Sequence, residues 1–174
     1  NVSMNELYTF TVPVFQKTLK ALDGLLVKAE AFVKEKGMDE AALLDDRLAP
    51  DMFPFKKQIQ IACDNAKGVT ARLAGMEVPS HADDEMTIAD LRARIAKTLE
   101  FIGSVSEDSF KDAATRQITL PYFPNQFMTG FDYAREYALP NFLFHVVIAY
   151  AIMRKQGAVI GKADYIGGMP LQDM

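Results

Sequence analysis

A chain of 174 residues, 49% hydrophobic and 24% charged, is long enough to bury one core and lacks the composition of a disordered protein. Its net charge of −4, with no run of Lys and Arg, argues against nucleic acid as a partner, because phosphate binding needs a basic face. A lone cysteine, Cys63, excludes an internal disulfide and a CxxC metal or redox pair, and suits a reducing cytoplasm.

Residues Asn1–Tyr8 lack the basic start and apolar run of a signal peptide. The most apolar stretch, Leu139–Met153, is shorter than the roughly 20 residues that span a bilayer and contains Asn141 and His145. It reads as a buried helix, so no membrane partner is expected. One domain over residues 1–174 is the expectation.

The first periodic segment places Phe15, Leu19, Leu22, Leu26, Ala29 and Val33 at alternating steps of four and three, on one face of a helix. Pro13 fits a first turn, or a kink if the helix starts at Met4; Gly37 stops it. The second repeats the pattern with Phe55, Ile59, Ala62, Ala66, Val69 and Leu73 and ends at Gly75. Pro50, Asp51 and Pro54 precede it, and Asp51 is the candidate N-cap. The third reads Ile88, Leu91, Ile95, Leu99 and Ile102, with Thr87 and Asp90 spaced as a capping box.

The helical period then disappears. Gln117–Leu120 alternates polar and apolar residues and Phe127–Thr129 follows a Pro- and Asn-containing turn, so a small hairpin is expected here. A last helix runs from about Asp132 to Lys155, ends at Gly157 and is kinked by Pro140. It is apolar nearly all round its second half, which makes it central or part of a dimer interface. The tail Ala158–Met174 reads as irregular. Four amphipathic helices joined by three longish linkers make an all-α four-helix bundle, at least one linker being a candidate crossover.

Within this apolar frame, Tyr137, Asn141 and His145 stand at steps of four, on one face of the last helix. Polar groups on an inward face must find partners, so this stripe is the place to look for a site. His145 is a hydrogen-bonded core histidine, a ligand or a general base; Asn141 bonds a carbonyl freed by Pro140 or joins His145. Gln58 and Asn65 follow Asp51 at heptad steps and extend a polar line along the second helix or form a solvated face. Gln60, Asp64 and Lys67 read as an exposed ion-pair row, and His81 as a solvated loop residue. Cys63 reads as an inert buried thiol. The aromatic cluster Tyr122, Phe123, Phe127, Phe131 and Tyr133 caps the bundle end or lines a pocket mouth. No Ser–His–acid order, P-loop, Gly-rich dinucleotide loop or H-E-x-x-H occurs.

Several strings carry a resemblance that covers nearly the whole chain. They are Leu48-Ala-Pro-Asp-Met-Phe-Pro-Phe55, Ala66-Lys-Gly68, Ala71-Arg-Leu-Ala-Gly75, Ala138-Leu-Pro-Asn-Phe-Leu-Phe-His145, Ala149-Tyr-Ala-Ile-Met-Arg154 and Ile160-Gly-Lys162. Together they resemble a bacterial family of unknown function within the DinB-like four-helix-bundle superfamily. The resemblance implies an up-down-down-up bundle and frequent homodimers. In many members it implies three histidines around a divalent metal, one from helix two and two, four apart, from helix four; metal-dependent thiol transfer is an activity of such relatives.

This chain departs from that pattern. His145 occupies the later position of the helix-four pair, Asn141 stands at the earlier one, and Asp51 is the acidic candidate near helix two. A His145/Asn141/Asp51 trio is a substandard zinc site. The leading expectation is therefore a small-ligand pocket at the former metal position, formed by His145, Asn141, Asp51 and Tyr137. The rivals are a metal-dependent, thiol-dependent transferase or hydrolase that uses His145, Asn141 and Asp51 on a divalent ion, and a purely structural homodimer.

Overall fold

The computed structural model of the chain describes residues 5–174. A helix start at Met4 lies outside these residues. A single turn, α1 (Glu6–Thr9), precedes α2 (Val12–Glu35). Pro13 sits in the first turn of α2, where its missing N–H has no intrahelical partner to lose. After a short α3 (Glu40–Leu44) come α4 (Phe55–Leu73) and α5 (Ile88–Ser104). Two strands follow, β1 (Gln117–Ile118) and β2 (Met128–Thr129), then the long helix α6 (Gly130–Gln156) and a short α7 (Lys162–Ile166). The four long helices are those expected from the periodicity.

Their faces bury the expected residues. Phe15, Leu19, Leu22, Leu26 and Ala29 of α2 are inaccessible, as are Phe55, Ile59, Ala62 and Ala66 of α4 and Ile88, Leu91 and Ile102 of α5. Each large aliphatic or aromatic side chain so buried contributes about 1.5–3 kcal/mol of transfer free energy. In space α2 packs on α5, α5 on α4, and α4 on α6. Consecutive helices α2 and α4 are therefore not the principal neighbours, and the stretch carrying α3 is the crossover. It runs beneath α4 and α6, against both of which α3 packs.

Thr87 caps α5, its Oγ1 accepting from Asp90 N–H at 3.0 Å. The Asp90 carboxylate accepts in return from Met86 N–H at 3.0 Å, one residue before the cap. Gly157 closes α6 at φ 106, a left-handed cap that a side chain would strain.

The hairpin is present and short. Gln117 pairs with Thr129 and Ile118 with Met128, antiparallel. It delivers the chain into α6 two residues earlier than the periodicity implies, with Thr129 Oγ1 accepting from Asp132 N–H at 3.2 Å. Gly130 fits here because a Cβ would lie 1.8 Å from the Ala113 carbonyl oxygen.

Pro140 acts on the turn before it. Tyr133–Ala138 is π-helical, and α-helix resumes at Leu139. The wider turn accommodates the ring and the missing donor without ending the helix. The tail is more ordered than its composition suggests. Lys28 Nζ donates to Asp164 Oδ1 at 2.7 Å, which ties α7 to α2.

Candidate functional site

His145 lies on the inward face of α6 and is only 8% exposed. Its Nδ1 is 2.6 Å from Oε1 of Gln58, which is 1% exposed on the first turns of α4. Gln58 Nε2 donates in turn to the Phe53 carbonyl at 3.0 Å. An amide that donates through nitrogen to Phe53 accepts through oxygen, so Nδ1 carries the imidazole proton and Nε2 carries the free lone pair. Burial holds the His145 pKa below its ordinary value, so the ring is neutral near pH 7. The arrangement is a fixed imidazole with a basic Nε2, able to accept a hydrogen bond or a proton.

His145 and Gln58 line a cavity of about 280 Å³ with Arg47, Asp51, Phe53 and Phe144. Phe144 meets the imidazole edge-on at 5.1 Å between centroids. Arg47 is oriented by its Nη1 donating to the Met52 carbonyl at 2.6 Å. The segment before α4 thus forms one wall of the cavity and α6 the other.

Of the four residues expected at the site, the structure brings together two, His145 and Asp51. Asp51 is exposed on the wall of this cavity and does not cap α4. Pro54 occupies the N-cap position without a side-chain bond, and the helix start is tied instead by Phe55 N–H donating to the Asp46 carbonyl at 2.8 Å. Asn141 is half-buried one turn back on α6 and does not line the cavity. Tyr137 lines a different cavity, with Phe123 and Ile118. The π-helical turn that ends at Ala138 separates Tyr137 from the α-helical turns that carry His145, so the step of four does not stack them as in a regular helix.

Among the described residues, no three His, Cys, Asp or Glu side chains gather as a metal-holding group. One imidazole and one carboxylate do not fit a resident zinc, which takes at least three protein ligands. Cys63 supplies no thiolate, since burial pushes its pKa up to about 12.

Gln58 is the site residue that periodicity undervalues. It stands three residues after Phe55 and just before Ile59, on the edge of the inward face, and that placement was its signal. The same holds for Arg94, beside Ile95. Arg94, 5% exposed, donates to Glu85 at 2.6 Å, to Asp64 at 2.8 Å and to Asp83 at 3.2 Å.

Gln60 Nε2 donates to Glu85, and Lys67 pairs with Asp64. Gln60 and Lys67 are each 4% exposed and Asp64 is half-exposed, so two of the three residues expected in solvent are buried in a clamp that holds the loop before α5 onto α4. His81 belongs to this loop, half-buried, with Nδ1 unpartnered among the described residues. Burial, then Lys67, Lys97 and Arg94, hold its pKa below the ordinary value.

A family model described as a domain of unknown function (DUF1993) matches residues 7–166. The fold is similar to the crystal structure of a DinB family member protein from Shewanella denitrificans. The two chains share 44% identity with a TM-score of 0.94, over 98% of this chain and 97% of the other. No curated protein matches the chain.

Proposed function

The chain belongs to the DUF1993 family of unknown function, with the all-α bundle of a DinB family member, and on that premise we propose that it binds a small polar ligand in the His145 cavity. The observation that carries this reading is the Gln58–His145 hydrogen bond at 2.6 Å. It fixes one tautomer of a neutral imidazole beside a cavity that also carries Asp51 and Arg47. A ligand with a hydroxyl or amide donor for Nε2, and an acceptor for Arg47, matches that set. A metal-dependent transferase or hydrolase is disfavoured, because the donor set is one imidazole and one carboxylate.

Elemental analysis of the purified protein and of His145→Ala separates the two readings. Stoichiometric divalent metal lost in the variant supports the enzyme. Metal-free protein whose His145 ring resonances shift on titration with small hydroxyl and amide fragments supports the pocket.

The assembly in this reading is a homodimer in the cytoplasm. The long helix α6 is by length and composition able to cross a membrane, and only 39% of its most apolar stretch is buried in one copy. Its outer face leaves Phe144 50% and Val147 42% exposed, the surface a second copy would cover.

A further inference from the structure

At the hairpin end of the bundle, a largely apolar chamber of about 350 Å³ is walled by Ile118, Leu120, Phe127, Met128, Tyr137 and Phe123, with the Gln126 amide also in its lining. Leu120 and Phe123 also wall a second cavity, of about 430 Å³, that contains the Arg72 side chain with Pro121, Pro124 and Asn125. Phe123, 43% exposed, stands between them, and its ring meets Tyr137 edge-on at 6.4 Å. Tyr137 stacks at 6.2 Å on Tyr133, whose hydroxyl accepts from Arg72 Nη1 at 3.2 Å. Arg72 is the only charged residue lining either cavity, and among the described residues its guanidinium pairs with no carboxylate.

Arg72 is held in place by an absence. A Cβ on Gly68, one helical turn earlier, would lie 2.6 Å from Nη1. The glycine lets the guanidinium lie back along α4, within reach of Tyr133. A cation without an anion beside an apolar chamber has the polarity of an amphipathic acid: an apolar body is removed from water while a carboxylate takes two parallel N–H donors. Both cavities fall in the size range of small-molecule sites.

We propose that this pair of cavities, on either side of Phe123, is a binding site for small amphipathic monocarboxylates, with the alkyl or aryl body in the Ile118–Met128 chamber and the carboxylate on Arg72. The site is separate from the His145 cavity and shares no lining residue with it.

The test is a calorimetric and NMR titration of the full chain with octanoate, 4-phenylbutyrate and neutral 1-octanol. The expected result is saturable one-to-one binding of at least one acid. Resonances of Ile118, Leu120 and Met128 shift, and 1-octanol binds at least tenfold more weakly.

Arg72→Gln weakens acid binding at least tenfold. Gly68→Ala does the same while keeping the charge, because the new methyl pushes the end of the flexible Arg72 side chain out of place and alanine favours the helix. Equal binding of acid and alcohol, undiminished binding in both variants, shifts confined to Phe53, Phe144 and His145, or no saturable shift with either acid would each overturn the proposal.

Discussion

Gln58 Oε1 and His145 Nδ1 lie 2.6 Å apart across the α4–α6 interface, although 87 positions separate them in the chain. The bond satisfies two buried polar side chains at once and selects the tautomer. The imidazole nitrogen NMR spectrum should therefore show Nδ1 protonated and Nε2 bare at neutral pH. Gln58→Leu should cost about 1–3 kcal/mol, because it leaves the imidazole donor unpaired in the interior. It should also abolish the tautomer preference. An Nε2-protonated ring in the unmodified protein would refute the assignment.

Both histidines titrate below their ordinary value of 6.5 in the folded chain. A group whose folded pKa is depressed binds its proton more readily when unfolded, so the unfolded state gains as pH falls below about 6.5. Stability should be fully present at neutral pH and decline as the pH falls below the ordinary histidine value of 6.5. His145→Gln and His81→Gln should each flatten part of that slope in thermal melts. Unchanged slopes in both would show that the acid sensitivity lies elsewhere.

Removing Arg94 should be among the most damaging single substitutions. Arg94→Met strands the buried Glu85 carboxylate, and breaking one side of a buried ion pair costs about 3–5 kcal/mol, while the half-exposed Asp64 keeps Lys67. The loop carrying His81 should become susceptible to limited proteolysis before the rest of the chain. Cleavage that begins instead at α7 would contradict the clamp.

Gly130→Ala should destabilise by about 1–3 kcal/mol or more, since the methyl must displace the Ala113 carbonyl rather than a flexible side chain. A fall in Tm of roughly 2–4 °C for each kcal/mol is expected, read by circular dichroism.

The outer face of α6 gives the fifth variant set. Sedimentation at micromolar concentration should show a dimer that Phe144→Glu with Val147→Glu converts to monomer without loss of helicity. A monomer in the unmodified protein would remove the homodimer from the reading.

Local information was enough for the four long helices, their stops at Gly37, Gly75 and Gly157, and the position of the hairpin. Each follows from steps of three and four, from glycine's access to positive φ, or from alternation, and all of these act between residues close in the chain. That His145 faces inward was readable on the same grounds. What it bonds to was not, because the partner is chosen by how α4 seats against α6. Seen from its own helix alone, Gln58 is a polar residue at the margin of an apolar stripe.

The same reason explains the polar row Gln60–Asp64–Lys67. Only the return of α5, with Arg94, and the loop carrying Glu85 turn it from a solvated surface into a network that buries Gln60 and Lys67. Tyr137 parts from His145 because a π-helical turn before Pro140 breaks the regular period on which their alignment rested. Periodicity sets which side of a helix is buried; the tertiary structure decides what each buried polar group meets there, because burial requires a partner but does not name one.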